Sequence, residues 1–500
     1  MRRRYFAAVW GMAVVFLLVF GRLAAEPATY SGQWTIGYDP ITLPKDEPMG
    51  LMHAGALFDL NRYIRLGPEL YGAVSGERGG FFTVGMSGEF HRRLVRRLEA
   101  LAGLYVGAGG GGAAPQGGGL MLRPRAALRY DLGRVSVEAG ISRVWFPNGD
   151  IDSTQFAVAL QMPFGGRFWR GIPDRERFVA GGMRGERGLR VDVRPMIEHY
   201  QPVASAHSPF NEQAATEPYT LGGIAFLFSR DSTPFYGYVQ TAGAGAGKAT
   251  GYMEVFGGIG YRYSAFERLT IGIQGALGAG GGGRIDTGGG AMYRAEGVVD
   301  ARIFRDIHLG VQAGYIGAFG GSFAAMSSGV SVGYRHRFFG LGDPAFDGKS
   351  GTTLWRFRLL NKSYLPADGM FNDDQKNRID LIGVGIDRFV TSHLYISGLS
   401  YWAWQGQAGG YAEGAFALGW ESGAFRGWRA YAEAVAGVGG GGDVHMDGGL
   451  FGAIGGGVRY DIDDAWQFDV GAEYVRSRTG GFRTTSLKAG VNYRFSLFGE

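Results

Sequence analysis

Three copies of one glycine cassette set the first limit on how this chain folds. Residues 107–119 read GAGGGGAAPQGGG, residues 278–290 read GAGGGGRIDTGGG, and residues 437–449 read GVGGGGDVHMDGG. Each is six residues, four variable residues, then three, with Asp447 replacing one Gly in the last copy. The copies are 171 (107 to 278) and 159 (278 to 437) residues apart. Their flanks agree as well. LEALAGLYV, LTIGIQGAL and WRAYAEAVA precede them, and LMLRPRAALRYDL, AMYRAEGVVDARIF and LFGAIGGGVRYDI follow. A long internal repeat decides architecture before any local pattern does.

The flanking segments have period 2. Met253, Val255, Ile259, Tyr261 and Tyr263 fall on one face, and Glu254, Gly258, Gly260 and Arg262 on the other, with Phe256 as the exception. Trp466, Phe468, Val470, Ala472 and Tyr474 alternate with Gln467, Asp469, Gly471 and Glu473. Successive side chains of a strand point to opposite faces, so each segment is a strand with one apolar and one polar or Gly face. Eight such segments fall in each unit. The domain reading is a signal peptide over 1–25, repeats over 26–165, 187–340 and 351–500, and linkers over 166–186 and 341–350.

The first residues are an address. Arg2, Arg3 and Arg4 precede an apolar run from Ala7 to Phe20, and Leu23-Ala24-Ala25 offers a cleavage site. Export removes Arg2, Arg3, Arg4 and Arg22 from a total of 50 basic and 45 acidic residues, leaving a balance of +1 (46 against 45). A near-neutral chain gives no support to nucleic-acid binding. The absence of Cys excludes disulfide scaffolds, thiolate metal sites and thiol catalysis.

A soluble sandwich and a membrane barrel both alternate, but with opposite faces inward. Segments of about 10 residues, aromatic strand ends and connections that alternate in length match a barrel in lipid. The first, third, fifth and seventh connections of each unit are then outer loops, including 201–218, 366–377 and the three cassettes. Segments 229–234, 264–268, 305–306 and 461–465 are short turns on the other side. The cassettes read as flexible outer hairpins.

The closing strand Gly490-Val491-Asn492-Tyr493-Arg494-Phe495 resembles the aromatic-ended last strand of bacterial outer-membrane barrels, the OmpA-like and porin-like proteins. Gly333-Tyr334-Arg335-His336-Arg337-Phe338 closes the middle unit in the same way. This chain departs by continuing to Ser496-Leu497-Phe498-Gly499-Glu500. The resemblance implies that the barrel-assembly machinery reads Tyr493, Phe495 or Phe498. It also implies the outer membrane of a Gram-negative bacterium, with membrane lipid and lipopolysaccharide as surroundings.

Two arrangements fit: one 24-stranded barrel, or three tandem eight-stranded barrels. Backbone radii would be about 24 Å and about 8 Å. Inward Gly258, Gly260, Gly272, Gly310, Gly314, Gly329 and Gly333 suggest sparse filling, and small barrels with voids are disfavoured. That favours the single wall, an antiparallel transmembrane β-barrel. Its lumen-lining candidates are Arg294, Glu296, Asp300, Arg302, Arg335, Arg337, Arg356, Arg358, Glu413, Glu433, Asp469 and Glu473. Mixed charge argues against strong ion selectivity.

The expected function is a pore or conduit for polar solutes, with a luminal protein or exported polymer filling so wide a wall. A structural or adhesive barrel displaying Gly-rich loops is the alternative. A lipid-modifying enzyme is a weaker third, resting on His199, His207, Ser205 and Ser208. No GxSxG elbow, metal-ligand pair or cofactor motif is present, so no catalytic residue, metal or cofactor is assigned.

Overall fold

The alternating segments form 24 antiparallel strands in a computed structural model. The structure describes residues 27–170, 189–338 and 352–498, except 204, 209–214, 231–232, 305 and 373–376. The expected signal peptide lies outside the described residues.

The first eight strands are β1 (Pro27–Leu43), β2 (Glu47–Asp59), β3 (Ile64–Ser75), β4 (Phe82–Val95), β5 (Leu98–Gly110), β6 (Leu120–Asp131), β7 (Ser136–Trp145) and β8 (Asp152–Arg170). The next are β9 (Leu189–Pro202), β10 (Tyr219–Arg230), β11 (Phe235–Ala246), β12 (Met253–Phe266), β13 (Leu269–Gly281), β14 (Ala291–Arg302), β15 (Ile307–Ala318) and β16 (Ala324–Phe338). The last are β17 (Thr352–Tyr364), β18 (Ile379–Phe389), β19 (Leu394–Gln405), β20 (Ala412–Glu421), β21 (Trp428–Gly440), β22 (Leu450–Asp461), β23 (Trp466–Ser477) and β24 (Arg483–Phe498).

Each set of eight closes on itself. β1 pairs with β8 (Trp34 opposite Met162), β9 with β16 (Ile197 opposite Val330), and β17 with β24 (Phe357 opposite Tyr493). Of the two arrangements open at the sequence level, the structure has three eight-stranded barrels, and a single 24-stranded wall does not form. Among the described residues the one ladder between barrels is a two-residue pairing of β24 with β8, Phe495 opposite Arg170 and Ser496 opposite Trp169.

The reason lies in the inward glycines. They are sockets, not voids. A Cβ on Gly260 would collide with the Tyr236 ring, on Gly258 with Tyr238, and on Gly419 with Tyr395. Gly329 and Gly333 make room for Glu198 and Arg194. A long side chain on one strand lies over a Gly on its neighbour, so an eight-stranded interior fills without overpacking. Cysteines at Trp34 and Met162 should therefore oxidise to a disulfide, since facing residues of a ladder have a suitable Cα separation. Cysteines at Trp34 and Asn492, the pair expected of one wall, should stay reduced on a non-reducing gel.

Outward side chains are apolar and open. Trp34, Ile36, Phe156, Val158 and Leu160 are exposed on the first barrel. Ile259 and Ile273 are 73% and 68% exposed on the second, and Ile454 is 69% exposed on the third. Inward neighbours such as Asp39, Glu254 and Arg459 are fully buried. Polar groups inside and a continuous apolar exterior are the faces a barrel in hydrocarbon needs.

The three barrels meet in a ring. The third strand of each touches the fifth strand of another: β3 with β13, β11 with β21, β19 with β5. Outward residues of all three form one apolar cluster, with Phe82, Val106 and Ala108 from the first, Ala279 and Met253 from the second, and Trp402 and Trp404 from the third.

Candidate functional site: charged interiors and a glycine-clasped junction

The buried charges occupy inward positions because inward and outward positions alternate along every strand. Barrel closure then brings charges from distant strands together. In the third barrel, Arg356 on β17 donates to Asp387 (2.6 Å) and Glu421 (2.5 Å). Arg459 bridges Glu421 (2.9 Å) to Glu433 (3.3 Å). Arg358 reaches Glu433 (2.6 Å), and Lys488 joins Glu433 (2.9 Å) to Glu473 (2.8 Å). Lys362 joins Glu473 (2.8 Å) to Glu413 (2.9 Å), which also accepts from Tyr411 (2.7 Å). Asp469 lies 3.6 Å from Arg358 and accepts from Asn492 (3.0 Å). The result is one unbroken ladder of alternating charge.

The second barrel has two groups. Arg294 pairs with Glu198 (2.5 Å) and Glu296 and lies 3.6 Å from Glu254, which accepts from Tyr200 (2.8 Å) and Tyr252 (2.9 Å). Nearer the chain termini, Arg194 pairs with Asp300 (2.5 Å), and Asp192 holds Arg335 (2.8 Å) and Arg262 (3.5 Å). The first barrel pairs Asp39 with Arg123 (2.8 Å) and Glu69 with His53 (2.6 Å). Its Glu89 receives Arg65 (2.9 Å), Arg125 (2.7 Å) and Arg129 (2.8 Å). Cavities beside His53 and Arg123 and beside Arg194 and Gln312 hold about 10 Å³ each, near the lower limit for one water molecule.

The structure thus places Arg294, Glu296, Asp300, Arg356, Arg358, Glu413, Glu433, Asp469 and Glu473 inside their barrels, paired with one another or with close neighbours. Arg335 is half-buried at the rim. Arg302 lies outside the network, exposed and bonded to the Glu267 carbonyl (3.2 Å). Arg337 is described only by its backbone, opposite Arg190, and Phe498 only by its pairing with Thr352. Tyr493 packs on Trp466 at 4.8 Å and on Phe495 at 6.2 Å. Sequence reasoning missed the first barrel's set, and Arg194, Asp192, Glu198, Glu254, Lys362, Asp387, Arg459 and Lys488. Part of their signal was present: Glu254, Asp387, Arg459 and Lys488 share the phase of Gly258, Gly385, Gly457 and Gly490 on their strands, whereas β9 and β17, which carry Asp192, Arg194, Glu198 and Lys362, contain no glycine.

The cassettes are not free hairpins. Gly79 N–H donates to Gly288 O (2.8 Å) between the first and second barrels. Gly448 N–H donates to Thr250 Oγ1 (2.8 Å) between the third and second, and Gln116 Nε2 donates to Gly409 O (3.0 Å) between the first and third. The close approach explains the glycines. Gly119, Gly290 and Gly449 all have positive φ (94°, 94° and 86°). A Cβ on each would come within 3.0 Å of a main-chain oxygen in another barrel, Ala403, Ala73 and Ala244 respectively. At this end Arg78 grips Glu47 through two bonds of 2.6 Å and the Ala113 carbonyl at 2.9 Å, and its hydrogen bonding holds the Glu47 carboxyl below its usual range.

Among the described residues no hydrogen bond joins a His199 or His207 ring to a serine hydroxyl. His207 Nδ1 lies 2.6 Å from the Ser205 carbonyl, and His199 Nδ1 lies 3.2 Å from Thr220 Oγ1. Among the described residues no group of His, Asp and Glu is placed to hold a metal ion.

No family model and no curated protein matches this chain. Among solved structures it is similar to a ferric enterobactin receptor of Pseudomonas aeruginosa at 9% identity, covering 95% of this chain and 81% of that one, with a TM-score of 0.27. It is similar to a copper transporter at 9% identity, covering 94% and 80%, with a TM-score of 0.27. A third is OccK11 of Pseudomonas aeruginosa, at 12% identity, covering 94% and 96%, with a TM-score of 0.22. Overlaps of this size reflect strand geometry and carry nothing about activity.

Proposed function

We propose that this chain is an outer-membrane protein in which three small barrels stand side by side. In this reading each barrel is a narrow conduit for small polar solutes or ions, closed at rest by its own ion pairs. The observation that carries it is the pairing of an apolar exterior with a ladder of exchangeable charges inside, clearest from Asp387 to Glu413 in the third barrel. Burying charge in a packed interior offers little stability over apolar filling. A polar path that opens when pairs exchange gives those charges a use. The barrel-assembly machinery, reading Tyr493, Phe495 or Phe498, and lipopolysaccharide around the outer rim complete the proposed setting. A luminal polymer or protein belonged to the wide single wall and has no place in three filled interiors.

Planar-bilayer recording tests this. The chain should give small conductance steps at three levels. Replacing Arg194 and Asp300 together by Ser removes one pair from the second barrel and should enlarge one level severalfold while leaving two unchanged. Silence from both proteins would favour the structural reading, a membrane block that displays loops, for which the filled interiors already speak.

A further inference from the structure

The equivalent β-turns of the three barrels differ sharply in charge. The register aligns Arg93 opposite Glu99 in the first barrel with Ser264 opposite Thr270 in the second. It also aligns Phe90 opposite Ala102 with Trp420 opposite Ala432 in the third. On that alignment the turn between β4 and β5 reads Arg92-Arg93-Leu94-Val95-Arg96-Arg97. Its counterparts read Tyr263-Ser264-Ala265-Phe266-Glu267-Arg268 and Ser422-Gly423-Ala424-Phe425-Arg426-Gly427. The same end of the first barrel adds Arg62 and Arg134, whereas the third barrel has Asp463 and Asp464 where the first has Gly133 and Arg134. The fold does not require this basic cluster, because two copies fold without it.

The nearby acids are already engaged. Asp59 and Glu99 bind Arg65 and Arg129 on the inward side (2.7 and 3.2 Å), and Asp131 accepts from Gly133 N–H (2.7 Å). Arg93 reaches Glu99 only at 3.9 Å, and Arg62 lies over the Tyr63 ring. Among the described residues Arg92, Arg96, Arg97 and Arg134 form no side-chain ion pair. All six arginines are exposed, and they alternate with exposed Tyr63, Leu94, Val95 and Leu132. This surface runs directly into the apolar belt at Phe90 and Leu128.

We propose that the chain-terminus end of the first barrel binds the headgroups of anionic phospholipids in the leaflet it faces. Leu94, Val95 and Leu132 would enter the acyl region, while the guanidinium groups reach up to headgroup phosphates, which they match as bidentate donors. The lipid shell is therefore uneven: anionic lipid gathers at the first barrel and not at the third. This inference rests on the membrane reading of the barrel exterior.

The test is native mass spectrometry of the full chain in detergent, titrated with phosphatidylglycerol or with phosphatidylethanolamine. Phosphatidylglycerol should bind at least tenfold more tightly, and the preference should fall steeply in 0.5 M salt, roughly as screening of exposed charge requires. Arg92→Gln, Arg93→Gln, Arg96→Gln and Arg97→Gln together should abolish the preference, at about fivefold per arginine near a charged surface. Lysine at the same four positions should restore part of it, and Arg426→Gln should change nothing. Equal binding of the two lipids by the unaltered protein, or a preference insensitive to salt, overturns the proposal. A chain that stays folded and dispersed without detergent would instead overturn the membrane reading itself.

Discussion

Replacing Arg358 by alanine is expected to destabilise the third barrel by about 3–5 kcal/mol, the usual cost of stranding buried charge. Arg358 is fully buried on β17 and sits 2.6 Å from Glu433, 3.7 Å from Asp387 and 3.6 Å from Asp469. Without it, three carboxylates share fewer cations in a space that admits little water. Glu433 keeps Lys488 and Arg459, and Asp387 keeps Arg356 at 2.6 Å. The loss therefore falls hardest on Asp469, left with Asn492 alone among its close partners. The unfolding midpoint in urea, read by tryptophan fluorescence in lipid vesicles, should drop for Arg358→Ala. Adding Asp469→Asn should recover a large part of the drop, because it removes the stranded charge while keeping the shape. An unchanged midpoint for Arg358→Ala would mean that the interior is wet and loosely paired.

Substituting valine at Gly119, Gly290 and Gly449 together is expected to separate the barrels without unfolding them. Each glycine has a positive φ, which a β-branched residue rarely adopts, at a cost of about 1–3 kcal/mol per site. Each Cβ would also strike a main-chain oxygen of the adjoining barrel, and main chain cannot swing aside as a side chain can. The tightest clash at each site falls between barrels, with a second inside the same barrel at Gly119 and Gly449 (the Gly109 and Gly439 oxygens), so relief comes from the barrels moving apart together with a local shift of the cassette. Cysteine pairs across the junctions, such as Thr250 with Gly448, where Gly448 N–H donates to Thr250 Oγ1 at 2.8 Å, should form disulfides in the parent and fail to do so in the triple variant. The Trp34–Met162 disulfide within the first barrel should form in both. Persistence of the junction disulfides would show that Trp402 and Trp404, packed with Val106 and Ala108, hold the ring without the glycines.

Much of this architecture was legible in the linear chain. The period-2 segments became strands with the expected faces: Ile259 and Tyr261 point outward, Glu254 and Gly260 inward, and Phe256, the exception to the alternation, is buried inside the second barrel. Connections 462–465 and 267–268 are the short turns anticipated near 461–465 and 264–268. Nine of the twelve charges expected to line a lumen, among them Arg294, Arg358 and Glu433, lie buried inside the barrels, while Arg302 is exposed and Arg335 sits at the rim. Their partners were not legible, since Arg358 and Glu433 are 75 residues apart and meet only after the barrel closes.

The cassettes show the same limit. Their spacing announced three copies of one unit, but a glycine that permits mobility and a glycine that permits close approach look identical in a sequence. Gly119 is distinguished only by Ala403, which belongs to a different repeat. The inward glycines were likewise ambiguous, because the ring that fills the space over Gly260 belongs to Tyr236 on a neighbouring strand.

Strand number, strand phase and the outward direction of the apolar faces follow from the order of residues, since alternation is a property of neighbours along the chain. Which edges join was decided in three dimensions. β1 could meet β8 or β24 through the same main-chain donors and acceptors, and backbone hydrogen bonds do not read side-chain identity. What selects β8 is the filling of a narrow interior by Tyr, Arg and Glu side chains seated over glycines, a fit that exists only once the wall has curved to eight strands.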